Sequence, residues 1–438
     1  MFRFIHAADL HLDSPLRGLN RYSGAPTERL RAASREAFHR LVDMAINSRI
    51  DFLVLAGDLY DGDWIDFQSG LYLRSELARL IKSGISSYIV KGNHDARSVI
   101  SRELPLPEGV HEFDSRKAQT LLHPSLPVAI HGRSFADRAM AEDLVPSYPA
   151  PRPGLFNIGV LHTSLAGDAN HDTYAPTTVQ ALRQHGYQYW ALGHIHQHAR
   201  VSDDPWIVYP GNLQGRHARE TGPKGCELVT VTDDFSVSSD FVELDVVRWT
   251  VVNVELTSRS DAAHADQGLT GDDLRDDLTV ARNRIRDALE ATIASAPDRL
   301  HAVRLHLEGQ TTLAIEEARM PGTLAATARA AAQDVNNGEV WVERVELALR
   351  APFDRAAEAR RDDAVGELVR AIDRSAGDST ELDRLLAPLI ETLIDKSIPS
   401  GLLTEAERAA FRDPSFWREL LLEAEDTLLA RLGNEVKA

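Results

Sequence analysis

The sequence predicts a layered α/β fold, in which a sandwich of strands is flanked by helices. Three observations support this prediction. The first half alternates short apolar runs with helical patterns, a smaller unit of mixed strands and helices begins near Asp245, and the pattern beyond Pro352 is helical only. We therefore expect an α/β domain over 1–245, a small α+β capping domain over 246–350 and a helical C-terminal region over 351–438.

Continuous apolar runs predict the strands of the first domain. Phe52–Ala56 has no polar alternation, which is typical of a strand buried on both faces. The predicted strands are Phe2–Ala7, Phe52–Ala56, Ser86–Val90, Val128–His131, Phe156–Leu161, Tyr189–Leu192, Trp206–Tyr209 and Cys226–Val231. Apolar residues at helical spacing predict helices over Glu28–Ser48 and Leu71–Lys82.

The remaining elements follow from the same two periodicities. Strands are predicted over Arg248–Leu256, Val303–Leu307 and Glu339–Leu349, and helices over Asp273–Ala294 and Thr323–Val335. An apolar stripe over Leu382–Ile394 predicts another helix, closed by Pro399-Ser400-Gly401. Asp413-Pro414-Ser415 opens a last amphipathic helix that contains Trp417, which can pack in a core or dock on a partner.

Composition limits the class of protein. The 438 residues contain one cysteine, Cys226, which excludes an intramolecular disulfide and a cysteine-rich zinc site. The start of the chain does not resemble a signal peptide, and apolar runs stay shorter than the roughly 18 residues of a membrane helix, so we expect a cytoplasmic protein. The net charge of −18 is unlike that of a typical nucleic-acid binder, although bound divalent cations would reverse the field of one cleft.

Potential metal ligands follow five of the predicted strands. The segments are Asp9-Leu10-His11, Gly57-Asp58, Gly92-Asn93-His94-Asp95, His162 and Gly193-His194-Ile195-His196. Fourteen of the 17 histidines lie at or before His217, which places the chemistry in the first half. Ligands of α/β sheets collect at the carboxyl ends of strands, so these distant segments can converge. Together they suffice for two divalent ions that share one ligand.

The residue types indicate individual roles. Asp9 and His11 are separated by one residue, so in an extended turn both side chains face the same way. Asp58 has two oxygens and is the natural bridge between two cations. Ligation by Asp, Asn and His without Cys favours Mn²⁺, Fe²⁺ or Zn²⁺. If His94 is not a ligand, it can act on the phosphoryl oxygen or the leaving group, with Asp95 orienting it and raising its pKa.

These motifs resemble the signature of the calcineurin-like metallophosphoesterase superfamily, over about residues 1–245. Within it, the chain is similar to the YhaO-like branch of the bacterial SbcD-type DNA repair exonucleases. The segments that carry this resemblance are Ala8–Pro15, Gly193–His196 and Tyr209–His217. The resemblance implies hydrolysis of phosphodiesters in DNA with Mn²⁺ preferred, an SMC-like coiled-coil ATPase as partner of the helical C-terminal region, and a homodimer.

The resemblance also implies how the ligands divide between the two ions. A first metal position would be formed by Asp9, His11, Asp58 and His196. A second metal position would be formed by Asp58, Asn93, His162 and His194. His94 would then act on the leaving group or the transition state.

Substrate contacts and the substrate itself stay open at this point. Arg17, Arg216 and His217 are candidates for phosphate contacts near the cleft, and a solvated loop is an equal alternative for the region of Arg216. A DNA exonuclease with possible endonuclease activity is the main functional hypothesis. A phosphoesterase for nucleotides or phosphoproteins is the second, and a partner subunit without catalytic activity is the third.

Overall fold

The protein is described from a computed structural model. The described residues are 1–15, 24–61, 67–97, 104–165, 174–257, 271–335, 339–352, 355–377, 379–392, 398 and 409–432. They form two compact units. The first comprises Met1–Val251, Ile293–Val303 and Glu339–Glu343, and the second comprises Val252–Thr292, Arg304–Gly338 and Arg344–Ala438.

The first unit contains two six-stranded sheets. Its elements in chain order are β1 (Phe2–Ala7), α1 (Thr27–Asn47), β2 (Phe52–Ala56), α2 (Phe67–Lys82), β3 (Ser86–Val90), β4 (Val110–Glu112), β5 (Gln119–Leu122), β6 (Val128–Gly132), β7 (Phe156–His162), α3 (Val179–His185), β8 (Tyr189–Gly193), β9 (Ala199–Asp203), β10 (Trp206–Tyr209), β11 (Gly225–Val231) and β12 (Val237–Glu243). The sheet orders are β12-β11-β1-β2-β3-β4 and β5-β6-β7-β8-β10-β9. Strands β1 to β4 are parallel, as are β6, β7, β8 and β10.

Both faces of the first sheet are buried, which explains the uninterrupted apolar runs. In β1, Ile5 and Ala7 pack in a cluster with residues of α1 and α2. Phe4 points the other way and stacks on Phe52, with ring centroids 5.0 Å apart, in the cluster between the two sheets. Successive residues of a strand face opposite sides of the sheet. One set of apolar side chains therefore packs against the helices, and the alternate set packs against the second sheet.

Three further strands form a separate sheet of order β13-β14-β15. They are β13 (Val247–Glu255), β14 (Leu300–Gln310) and β15 (Val340–Arg350), and the residues of each are divided between the two units. The helices of the second unit include α4 (Gly271–Ser295), α5 (Leu313–Arg319), α6 (Thr323–Asp334), α7 (Arg355–Glu358), α8 (Ala364–Gly377), α9 (Ser379–Ile390) and α10 (Pro414–Leu432). The carboxylate of Asp413 accepts from the backbone N–H of Ser415 at 2.9 Å, so it caps α10.

The predicted fold class is confirmed, and the core strands β1, β2, β3 and β10 have the predicted bounds. Strands β4, β5, β9 and β12 were not predicted, because they are short or alternate between partly buried and exposed residues. Leu393, Ile394 and Pro399-Ser400-Gly401 lie outside the described residues. The three-domain division stays a prediction. Within the described ranges, every helix is too short or too polar to cross a membrane.

Candidate metal centre

The five motif segments meet because their strands are neighbours. Strands β1, β2 and β3 are adjacent and parallel in the first sheet, and β7 and β8 are adjacent and parallel in the second. The loops after β1 and β2 are joined by backbone hydrogen bonds, from Asp9 N to Gly57 O and from His11 N to Asp58 O, both 3.0 Å. The carboxylate of Asp9 accepts from the backbone N–H of His194 at 3.0 Å, which connects the two sheets at this edge.

Four candidate ligands have positive φ values, a region that residues with a Cβ rarely adopt. The values are 52° for Asp9, 41° for His11, 52° for Asp58 and 102° for His194. The expectation of an extended turn at Asp9 and His11 is therefore wrong. Their ligand atoms still converge, because both residues take the left-handed conformation. Such backbone conformations cost of order 1–3 kcal/mol each and cluster at functional sites.

Two glycines allow the loops to approach each other. A Cβ on Gly57 (φ 96°) would lie 2.4 Å from Nδ1 of His162, and one on Gly92 would lie 2.2 Å from Oδ1 of Asp58. Either clash would separate two of the segments that carry candidate ligands. The glycines of the Gly-Asp and Gly-Asn-His-Asp motifs are thus required by close packing.

The residues predicted for the first metal position lie close together. Nε2 of His11 and Nε2 of His196 are 3.2 Å apart, and Nε2 of His196 is 4.0 Å from Oδ1 of Asp9. Ligands about 2.0–2.1 Å from one ion lie roughly 3 Å from each other, so this spacing suits a shared cation. Asp9, His11 and His196 together form a group of potential metal ligands.

The residues predicted for the second metal position lie at the same edge of the sheets. Oδ2 of Asp58 lies 3.4 Å from Nε2 of His162 and 3.7 Å from Nε2 of His11, so this carboxylate stands between the two groups. Oδ1 of Asn93 is 2.9 Å from Nε2 of His162. The ring of His194 packs edge-on against His162, with centroids 5.2 Å apart. The seven predicted ligands therefore surround one small region of the first unit.

Hydrogen bonds set which imidazole nitrogen faces this region. Nδ1 of His162 donates to the carbonyl oxygen of Ala56 at 2.9 Å, and Nδ1 of His196 donates to the carboxylate of Glu220 at 2.8 Å. A neutral imidazole has one N–H, so both residues keep the Nε2 lone pair for a cation. Nδ1 of His11 is buried without a hydrogen-bond partner. This donor set fits the divalent ions that the motifs imply.

Burial and charge shift the pKa values of these groups. Burial opposes ionisation of Asp58, but the imidazoles of His162, His11 and His94 together outweigh it and hold the pKa of Asp58 well below its usual range. Burial likewise opposes protonation of His162, but the nearby carboxylates of Asp58 and Asp9 and the hydrogen bond to Ala56 outweigh it and raise the pKa of His162 to about 9. Burial lowers the pKa of His11 and raises that of Asp9. A cation bound here would take the place of the proton on His162, because a metal-binding imidazole must be deprotonated.

Asp61, and not Asp95, contacts the imidazole of His94. Nδ1 of His94 is 3.0 Å from Oδ1 of Asp61, and this hydrogen bond raises the pKa of His94 against the opposing effect of burial. The carboxylate of Asp95 instead accepts from the backbone N–H groups of Leu59, Tyr60 and Gly92 at 3.0–3.1 Å. The predicted orienting role of Asp95 is wrong, because its carboxylate joins the loops after β2 and β3.

The predicted substrate contacts fall in different places. Arg17 lies outside the described residues. The guanidinium of Arg216 pairs with Glu220 at 3.0 Å, and Nη2 of Arg216 is 3.2 Å from Nδ1 of His196. His217 is more exposed, with Nε2 3.5 Å from the same carboxylate. Both residues are thus near the first metal position, and their contact with a phosphate stays a prediction.

Two supporting carboxylates were missed in the sequence. Asp61 stands three residues after Asp58, and that Gly-Asp-Leu-Tyr-Asp spacing was an available signal. Its other oxygen accepts from the hydroxyl of Ser14 at 2.6 Å. Glu220 is 24 residues from His196 along the chain. Only its spacing of four from Arg216 hinted at an ion pair, and that spacing does not reveal the contact with His196.

Comparison with known proteins agrees with the motifs. The family model described as "Calcineurin-like phosphoesterase" matches residues 2–198. A second family model, described as "Metallophosphoesterase YhaO, middle domain", matches residues 269–350. The first range contains every predicted metal ligand, and the second falls within the predicted capping domain.

Three curated relatives illustrate the similarity. The uncharacterised metallophosphoesterase YhaO of Bacillus subtilis is 37% identical over 258 residues, which are 58% of this chain and 63% of that protein. The DNA double-strand break repair protein Mre11 of Methanopyrus kandleri is 26% identical over 56% of this chain and 57% of that protein. Mre11 of Haloferax volcanii is 27% identical over 65% of this chain and 62% of that protein. The match thus spans about three fifths of each relative's length.

Proposed function

Because this chain belongs to the calcineurin-like metallophosphoesterase superfamily and is of the YhaO type, we propose that it is a two-metal phosphodiesterase acting on DNA ends. It would be an exonuclease with additional endonuclease activity. The observation that carries this proposal is the convergence of two carboxylates, one amide and four imidazoles at one edge of two neighbouring sheets. The similarity to two proteins named for DNA double-strand break repair supports DNA as substrate.

The position of each side chain in the site indicates its proposed role. Asp58 lies between the two groups of ligands and would bridge the ions. Two bound ions of this kind supply Lewis acidity to the phosphoryl group and lower the pKa of a water molecule. His94, held by Asp61 and with its pKa raised, would donate a proton to the oxygen that leaves phosphorus. The mixed oxygen and nitrogen ligands suit Mn²⁺, Fe²⁺ or Zn²⁺. The resemblance to the SbcD-type nucleases makes Mn²⁺ the proposed ion.

The helical C-terminal region supports the proposed partner, an SMC-like coiled-coil ATPase. On one side of α10, Leu429 is buried with Val365 and Val369, and Glu425 pairs with Arg355 at 2.9 Å. Phe416, Leu420, Leu422 and Leu428 of the same helix are exposed large apolar residues. A helix with exposed apolar side chains can add to a partner helix. A homodimer and a cytoplasmic location belong to the same proposal.

The test is Mn²⁺-dependent degradation of single- and double-stranded DNA by the full-length wild type and by His94→Ala. We expect manganese binding by both proteins and degradation by the wild type only. Bound manganese without any DNA degradation by the wild type would remove DNA from the proposal. A panel of small phosphate esters, measured on the same samples, would then test the second candidate function.

The second candidate is a phosphoesterase for nucleotides or phosphoproteins. The net charge of −18 favours it, because an acidic surface repels long nucleic acids more than small substrates. The third hypothesis, a partner subunit without activity, predicts a decayed site. The complete set of closely placed ligands argues against it, and elemental analysis of the native protein that finds no metal would revive it.

A further inference from the structure

We propose that Glu220 is the positioning residue of the first metal position, and that it controls how tightly one of the two ions binds. This inference rests on the proposed two-metal function. Glu220 lies in the loop before β11, beyond the residues matched by the phosphoesterase family model. Its carboxylate accepts from Nδ1 of His196 at 2.8 Å.

Both carboxylate oxygens of Glu220 are held in place. Oε1 accepts from His196 and from the guanidinium of Arg216, whose Nη2 is 3.0 Å away. Oε2 accepts from Nδ2 of Asn212 at 2.8 Å and from the backbone N–H of Arg216 at 2.7 Å. Glu220 is only 8% exposed, so its carboxylate has one orientation. An ionised carboxylate fixed in this way can accept a hydrogen bond from His196 but cannot donate one.

This contact determines the tautomer of His196. Because Nδ1 must carry the hydrogen that Glu220 accepts, Nε2 keeps its lone pair. That nitrogen lies 3.2 Å from Nε2 of His11, within the first metal position. The backbone of His196 is also fixed, since its carbonyl oxygen accepts from Nζ of Lys224 at 2.7 Å. Orientation and tautomer of this candidate ligand thus depend on side chains of a distant loop.

In the second metal position, Nδ1 of His162 is held by the backbone and not by a side chain. The acceptor for Nδ1 of His162 is the backbone carbonyl of Ala56, in the buried strand β2. A substitution of Glu220 should therefore weaken one ion and leave the other. Loss of a group that holds a metal-binding histidine typically lowers metal affinity by roughly 10–100-fold.

Glu220→Gln is the sharpest variant, because it preserves size and removes one acceptor. All four groups around the carboxylate are donors, so the amide NH₂ of glutamine must face a donor on one side. The matched control is Glu142→Gln, since Glu142 is exposed and its nearest partner, Arg133, is 3.5 Å away. The measurement is calorimetric titration of the metal-free full-length proteins with Mn²⁺, together with the melting temperature of each metal-free protein.

We expect two ions to bind to the wild type and to the control. In Glu220→Gln, one ion should bind roughly 10–100-fold more weakly than in the wild type. The other ion should bind with the affinity of the wild type. Excess Mn²⁺ should then restore hydrolysis. Unchanged affinity for both ions, or equal loss of both together with a lower melting temperature, would overturn the inference.

Two further results separate this inference from the proposed function. A wild type that binds no Mn²⁺ would overturn both. A wild type that binds two ions, with a Glu220→Gln variant that binds them equally well, would overturn only the role of Glu220. If Glu220→Gln does not fold, Glu220→Asp is judged by the same criterion, because it retains the charge and moves the carboxylate away from His196.

Discussion

The two proposed metal positions are built differently, although both would include Asp58. His162 ends a strand that is buried over its whole length, and its Nδ1 is held by a backbone carbonyl. His196 lies in a loop, keeps 20% of its side chain exposed and is held by the carboxylate of Glu220. The second position therefore follows from strand packing, whereas the first depends on side chains that single substitutions can remove.

Asp58→Asn should have the largest effect, because this carboxylate would belong to both proposed metal positions. Its Oδ2 faces His11 and His162, and amide substitution removes the charge that would hold two cations. We expect loss of both ions and of hydrolysis, measured by elemental analysis and by turnover of a phosphodiester. His162→Ala is the comparison and should weaken mainly the second ion. Equal losses in the two variants would contradict the bridging role.

His94→Gln tests a residue that belongs to neither metal position in the proposal. Its imidazole pairs with Asp61, and a glutamine cannot transfer the proton. We expect both ions to be retained and the rate to fall about 10²–10⁴-fold. The checks are metal content and kcat of the same preparation. A variant that loses an ion would place His94 among the ligands.

Asp61→Asn and Asp95→Asn separate support of His94 from support of the loops. Asp61→Asn keeps an oxygen that can accept from Nδ1 of His94 but removes the negative charge that raises the pKa of His94, so kcat should fall by about tenfold with little change in unfolding free energy. Asp95→Asn places an NH₂ group among the three backbone donors, which should cost about 1–3 kcal/mol in unfolding free energy. Urea unfolding and kcat of the two variants provide the comparison, and reversed effects would contradict it.

The smallest expected effect on hydrolysis comes from His131, which lies away from both metal positions. Burial lowers the pKa of His131 to about 4, although the hydrogen bond to Asn157 acts to raise it. The unfolded chain takes up this proton near pH 6.5, so acid favours unfolding. The stabilisation is complete above pH 6.5 and is lost as the pH falls towards 4, by roughly 3 kcal/mol.

Replacement of His131 by glutamine should flatten this dependence. Urea unfolding at pH 7 and pH 5 is the measurement, and the difference between the two pH values should be smaller for His131→Gln than for the wild type. Metal affinity at pH 7 should stay unchanged. Equal pH dependence in both proteins would contradict the assignment.

The candidate site was only partly accessible from the sequence. Asp9, Asp58 and His162 were predictable because each follows a buried strand, and strand ends gather at one edge of a sheet. The partner of His94 was predicted wrongly. Adjacency in the sequence favoured Asp95, but the fold of the loop after β2 brings the carboxylate of Asp61 into contact with His94. The left-handed backbone at His11 was missed as well, since local patterns favour extended turns.

Three features can be read from the sequence alone: the layered fold class, the buried strands and the residue types available for metal binding. Those features depend on hydrophobic periodicity and on local chemistry, which are readable along the chain. Which carboxylate contacts which imidazole depends on how the loops pack in three dimensions. Asp61 contacts His94, and Glu220 contacts His196, through loops that follow different strands. The packing of neighbouring strands sets these distances, and no spacing along the chain encodes them.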